Sequence, residues 1–140
     1  MRWENVPFEP GILEAVAYQN GKEIGRQTVR TAGKPAAIRL TPEKKQFADD
    51  DDLIYVLAEA VDENGVPCPW DERKIRAKVT GPAELVGIDA GNPMCFETIP
   101  DAEHSLFFGK AVLVLRSRSG EGNVLLEVTA DDLESGKKAF

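Results

Sequence analysis

The side chains of this 140-residue sequence that could do chemistry are its carboxylates, two thiols, one imidazole and two indoles. Glu59, Asp62, Glu63, Glu84 and Asp89 include pairs that could stand roughly 5–9 Å apart, the spacing at which one carboxyl protonates a leaving oxygen while another attacks or activates water. Such pairs also arise by chance in any acidic β domain, and the chemistry needs a cleft that a small, filled domain does not provide. Asp49-Asp50-Asp51-Asp52 could offer oxygens to Ca²⁺. The run lacks the spaced Asp-x-Asp-x-Asp-Gly pattern with a distal Glu, so it reads as a solvated turn. His104, the single histidine, cannot build a multi-imidazole metal site or a Ser-His-Asp triad beyond one ring. It reads as the hydrogen-bonded anchor of a long loop, with a pH-sensitive contact to a neighbouring domain as the alternative. Cys68 and Cys95 read as two free, partly buried thiols, a single bridge being the alternative if their loops meet. No catalytic residue, metal-ligand set or cofactor site is expected.

Trp70, in Cys68-Pro69-Trp70-Asp71, is the candidate carbohydrate-binding residue. An indole combines an apolar face for a sugar ring with an N–H donor, and a proline-flanked loop can present it. The competing reading, which weighs more because an indole covers so much area, makes Trp70 a plug at one end of the fold. Trp3 and Phe8 read as packing against an upstream domain and so form an apolar patch.

The elements that must position these groups are strands. Lys74 to Thr80 alternates polar and apolar at every position, as a strand with one wet face does. Leu53 to Val61 starts apolar on both faces and reads as more central. Ala111 to Leu115 has the same character, with Asn123 to Thr129 expected as its hairpin partner. Asn20-Gly21 separates Leu13–Tyr18 from Glu23–Val29 and is a strong two-residue hairpin signal. Val79 to Pro93 compresses two strand ends and two turns: Gly81-Pro82 stops one strand, Leu85-Val86-Gly87-Ile88 is a short apolar run, and Asp89 to Pro93 is turn chemistry. Met94 to Ser105 is a long irregular loop. No long segment carries the i, i+3, i+4 apolar pattern of a helix.

Charge narrows the partners. With 24 acidic and 17 basic residues the net charge is −7, and the Lys and Arg residues are scattered. Nucleic acid and anionic membrane surfaces both demand clustered cations, so neither is expected. No apolar run is long enough to span a bilayer, and Met1-Arg2-Trp3-Glu4-Asn5 does not read as a signal peptide.

Read in order, the segments Val6 to Lys22, Thr31 to Thr41, Val61-Asp62-Glu63-Asn64-Gly65-Val66-Pro67, Val79-Thr80-Gly81-Pro82-Ala83-Glu84-Leu85-Val86-Gly87-Ile88-Asp89, Gly91-Asn92-Pro93, Phe108-Gly109-Lys110-Ala111 and Leu115-Arg116-Ser117 resemble the C-terminal β-sandwich region of glycoside hydrolase family 2, the β-galactosidase-like enzymes. The resemblance covers nearly the whole chain. Asp49 to Asp52 departs from it, since family members more often carry a glycine there. It implies an all-β fold: an immunoglobulin-like β-sandwich over residues 36–140, preceded by a two-stranded hairpin and linker over residues 1–35 that end a preceding β domain. It also implies a catalytic barrel and sugar-binding domains upstream as partners. No position matches a catalytic residue of the family, so none is carried over.

Three functions are compatible with these observations. The favoured one is a non-catalytic accessory domain of a β-galactosidase-like hydrolase, bracing the catalytic region or extending its substrate surface. The others are a carbohydrate-binding module centred on Trp70 and a cell-surface immunoglobulin-like spacer. Two strands alone are marginal in water, so a homodimer through residues 1–30 is a further expectation. The compartment of a bacterial parent is left open between secreted or periplasmic and cytoplasmic.

Overall fold

A computed structural model describes residues 6–140, and every described element is a strand or a turn. Trp3 lies outside the described residues. The chain divides into two compact units, meeting in sequence at Ala32 and Gly33. Among the described residues no helix is long and apolar enough to cross a membrane.

The first unit is a hairpin of β1 (Ile12–Gln19) and β2 (Lys22–Arg30), paired antiparallel with a bulge between Ala17 and Tyr18. Asn20 and Gly21 both take positive φ, 51° and 76°, as the type I′ turn of a two-residue hairpin requires. Arg26 of β2 ties the strands together through Glu14 of β1 at 2.6 Å, and also pairs with Glu23 of its own strand at 3.0 Å. Ile12, Leu13, Tyr18, Ile24 and Val29 all remain exposed.

The second unit is a sandwich of two antiparallel sheets. One sheet has the order β3 (Pro35–Pro42), β4 (Leu53–Asp62), β8 (Lys110–Ser117), β6 (Ala83–Asp89). The other has the order β10 (Gly136–Ala139), β9 (Leu125–Ala130), β5 (Lys74–Thr80), β7 (Glu103–Ser105). Side chains of alternate parity meet between them. Ile54, Val56, Leu113 and Leu115 of the first sheet and Ile75, Leu126 and Val128 of the second are wholly buried. That interdigitated layer is the hydrophobic core, and its burial is the main favourable contribution to folding.

One pairing differs from the sequence expectation. Residues 123–129 do not form a hairpin with β8. β8 pairs with β4 and β6, whereas β9 pairs with β5 and β10 in the opposite sheet. Both segments carry a fully apolar face, Ala111-Leu113-Leu115 and Val124-Leu126-Val128. On opposite sheets the two faces meet across the sandwich and become part of one core.

The connection from β5 to β6 also changes sheet, through Gly81-Pro82. Gly81 has φ +93°, and a Cβ there would stand 2.2 Å from the Asn123 carbonyl oxygen. Glycine is required on both counts.

Candidate functional site

The chemistry-bearing residues gather in two loop regions of the sandwich. The first is the connection from β6 to β7. It begins with the Asp89 carboxylate accepting the Gly91 N–H at 2.8 Å and the Asn92 side-chain oxygen accepting the Met94 N–H at 3.0 Å, two Asx-type turns that reverse the chain. Further on, the loop backbone is sewn to the sheets. Ile88 donates to the Ile99 carbonyl at 2.8 Å and Ala77 to the Ala102 carbonyl at 2.8 Å. Gly87 makes the first of these approaches feasible, because a Cβ there would lie 2.7 Å from the Ile99 carbonyl oxygen.

This folding brings Cys95, Glu97 and His104 together, with one ligand-type atom from each within 4.8 Å of the others. His104, on β7, is 2% exposed. Its Nδ1 lies 2.8 Å from the Ser105 carbonyl. A carbonyl only accepts, so Nδ1 carries the proton and Nε2 bears the lone pair. That Nε2 is 4.0 Å from Cys95 Sγ. Glu97 Oε2 accepts the Ser105 N–H at 2.7 Å and lies 3.5 Å from Cys95 Sγ and 3.4 Å from His104 Nδ1. Oε1 faces the Ser105 hydroxyl and Lys74 Nζ at 3.0 and 3.1 Å. The Ser105 backbone N–H, then Lys74 and the Ser105 hydroxyl, outweigh burial and bring the Glu97 carboxyl down to about 2. His104 therefore anchors the loop, as its position suggested, but Cys95 and Glu97 were not recognised as its companions. The available signal was a Cys, a Glu and the single His within ten residues of one loop.

The second region holds Trp70. Cys68 is wholly buried, and burial, followed by the nearby Asp62 and Asp71 charges, pushes its thiol up. Cys68 and Cys95 are both free. Asp71, 5% exposed, holds the Arg73 guanidinium at 2.8 Å, while its own carbonyl accepts the Gly109 N–H at 3.1 Å. The Trp70 turn is thus bonded to the Phe108-Gly109 turn. A Cβ on Gly109, whose φ is +72°, would meet the Cys68 carbonyl oxygen at 2.2 Å. Trp70 is 55% exposed, and Phe108 on the partner turn 63%. Trp70 is therefore not the plug that its size suggested.

Of the other candidate acids, Glu63 is exposed, while Glu59, Asp62 and Glu84 hold structural partners. Glu59, buried on β4, bonds Arg39 at 2.8 Å and faces Lys110 at 3.4 Å. Asp62 accepts three backbone N–H groups, from Gly33, Val66 and Asn64, at 2.7, 2.8 and 2.9 Å. Those bonds, Gly33 first, outweigh burial and lower its carboxyl below the usual range. Glu84 pairs with Arg118 at 2.5 Å. Asp49, Asp50 and Asp51 are exposed. Asp52 caps its own turn, accepting from Ala48 at 2.8 Å and holding Lys44 at 2.7 Å; the Ala48 N–H and then Lys44 lower its carboxyl. An open groove of about 780 Å³ passes Phe47, Asp49, Asp50, Arg118 and Phe140. The carboxylates on it are exposed turn residues rather than the buried ones.

Comparison with known proteins gives a consistent set of relatives. The family described as Glycoside hydrolase family 2 C-terminal domain 5 matches residues 38–138, and a domain of unknown function (DUF4982) matches residues 1–25. Beta-galactosidase BoGH2A of Bacteroides ovatus is 36% identical over 129 residues, 91% of this chain and 15% of that protein. A putative beta-glucuronidase of Formosa agariphila is 32% identical over 80% of this chain and 11% of its own length. Among solved structures, a beta-glycosidase from Bacteroides vulgatus superposes with a TM-score of 0.90 at 29% identity, covering 96% of this chain and 18% of that one. A glycosyl hydrolase family 2 member from Bacteroides cellulosilyticus gives 0.88 at 30% identity, covering 96% and 19%. The chain thus spans less than a fifth of the length of these relatives.

Proposed function

Given that the chain belongs to the glycoside hydrolase family 2 C-terminal domains, we propose that it is a non-catalytic accessory module of a β-galactosidase-type hydrolase, bracing the catalytic region of a longer enzyme. The observation that carries this reading is the match over residues 38–138 to a C-terminal domain, in a chain that corresponds to 15% of a beta-galactosidase relative. The occupied state of the buried acids supports it. Glu59 and Asp62 hold strands and turns through ion pairs and backbone donors, which leaves them unsuited to proton transfer with a substrate.

In this reading residues 1–35 end a preceding β domain and residues 36–140 form the terminal sandwich, with upstream domains of the enzyme as partners. The apolar side chains exposed on the hairpin and on the segment before it, Phe8 at 81% among them, suit burial against such a neighbour, and a second copy of the chain through residues 1–30 is the other occupant they would accept. The test is removal. A longer enzyme truncated before this segment should keep its glycosidic chemistry in whatever fraction folds but lose thermal stability. Unchanged stability would end the bracing role.

A second reading has one specific observation behind it. Trp70, exposed beside Phe108 on a rigidly bonded pair of turns, offers a stacking surface for a sugar ring. Titration of galactosides and glucuronides against tryptophan fluorescence, with Trp70→Phe as reference, tests it. A saturable change lost in the variant supports binding, and no response at millimolar glycan removes it.

A further inference from the structure

We propose that Cys95, Glu97 and His104 form a binding site for a thiophilic divalent cation, Zn²⁺ by its chemistry, which staples the β6–β7 loop to the edge strand β7. The donor set is one thiolate, one carboxylate and one imidazole. That is the mixture that borderline-soft Zn²⁺ accepts and that hard Ca²⁺ and Mg²⁺ do not.

The geometry carries the inference. Around a tetrahedral zinc, with Zn–S near 2.3 Å and Zn–N and Zn–O near 2.0 Å, donor atoms stand about 3.3–3.6 Å apart. Cys95 Sγ is already 3.5 Å from Glu97 Oε2 and 4.0 Å from His104 Nε2, so Sγ and Nε2 need close by only a few tenths of an ångström. The imidazole is also prepared as metal-binding histidines are. Its Nδ1–H is spent on the Ser105 carbonyl at 2.8 Å, which fixes the tautomer and leaves Nε2 as a lone pair toward the thiol. Glu97 is divided in function as well. Oε1 is held by Lys74 and the Ser105 hydroxyl, while Oε2 accepts the Ser105 N–H at 2.7 Å and faces the Cys95 thiol at 3.5 Å, the direction a metal replacing the thiol proton would take.

The balance of the binding step is simple. The Cys95 S–H bond breaks, its proton passes to solvent, and the Sγ–metal bond forms. The thiolate and carboxylate then neutralise the dication. Cys95 is half-buried, so a metal held by these three donors keeps a fourth position open to water. Cys95 and Glu97 lie in the loop and His104 on the strand, so a bound ion closes a ten-residue ring, within which Phe96 stands 96% exposed.

The experiment uses the full chain, purified with its thiols reduced. Zinc titration by calorimetry should give a 1:1 complex. Co²⁺ in its place should give the near-ultraviolet sulfur-to-metal charge-transfer band and tetrahedral visible bands. Loss of a residue that merely orients a ligand weakens metal sites by about 10–100-fold, so Cys95→Ser and His104→Gln should weaken this one by at least that much. Cys68→Ser, at the buried thiol outside the cluster, should leave the complex intact. Folding of each variant is checked by circular dichroism, and Cys95→Ser, at a half-buried position, keeps the test decisive if His104→Gln misfolds. No 1:1 complex at 100-fold excess zinc, or a complex undiminished in folded Cys95→Ser, overturns the proposal. Because the readout is metal binding, its failure leaves the accessory-domain reading untouched.

Discussion

The hairpin of residues 12–30 and the sandwich of residues 33–140 are built from strands of similar length and similar alternation, yet only one has a core. In the sandwich, two apolar faces close on each other and Ile54, Val56, Leu113, Leu115 and Leu126 lose all contact with solvent. In the hairpin, Leu13 and Val29 are cross-strand partners, but both are at least 60% exposed. The difference is the second layer. A strand pattern specifies pairing within a sheet through local turn chemistry, whereas burial requires another apolar face opposite. The hairpin is therefore the part of the chain whose sequence asks for a partner.

That contrast can be broken most severely at the glycines. Gly109→Ala places a Cβ against the Cys68 carbonyl at a left-handed backbone position, so it should destabilise the sandwich by about 3 kcal/mol or more. Gly21→Ala meets nothing within 4 Å and should leave the sandwich's urea midpoint unchanged. Comparable shifts would show that the two turns are equivalent, contrary to the structure. Next in size, Leu113→Ala should cost about 2–5 kcal/mol, while Leu13→Ala should stay within about 0.5 kcal/mol. Equal costs in denaturation would mean that the hairpin has a core of its own.

Acid sharpens the comparison. Glu97 and Asp62 have folded-state carboxyls below their ordinary values, so each adds stability that is fully present above those ordinary values. The Glu97 contribution is lost as pH falls from about 4.5 toward about 2. Thermal melts should therefore show the sandwich weakening through that window, and Glu97→Gln should flatten the dependence. An unaltered slope in the variant would contradict the bonding described for Glu97. Smallest of all, Trp70→Ala should change sandwich stability by less than about 1 kcal/mol, because the indole is largely in solvent; a large loss would restore the plug.

What was legible in the sequence was local. Asn20-Gly21 specified a hairpin because two left-handed residues in succession admit few other turns. Lys74 to Thr80 announced one wet face because alternation has no other reading of comparable economy. The partner of residues 123–129 was not legible, since proximity in sequence favours a hairpin with β8, and an apolar face is buried equally well in either sheet. Nor was the position of Trp70: its size argues for burial, yet the indole stands 55% exposed, and no residue type in its turn reports which way the ring points. The Cys95–Glu97–His104 cluster depends on a loop folding back on β7, which no periodicity reports.

One measurement bears most directly on the proposal that this C-terminal domain has no glycosidase activity of its own. The purified chain is incubated with chromogenic β-galactoside and β-glucuronide, alongside Glu59→Gln and Asp62→Asn variants. The account predicts no hydrolysis above the uncatalysed rate in any sample. Turnover that survives purification and is abolished by either substitution would contradict it.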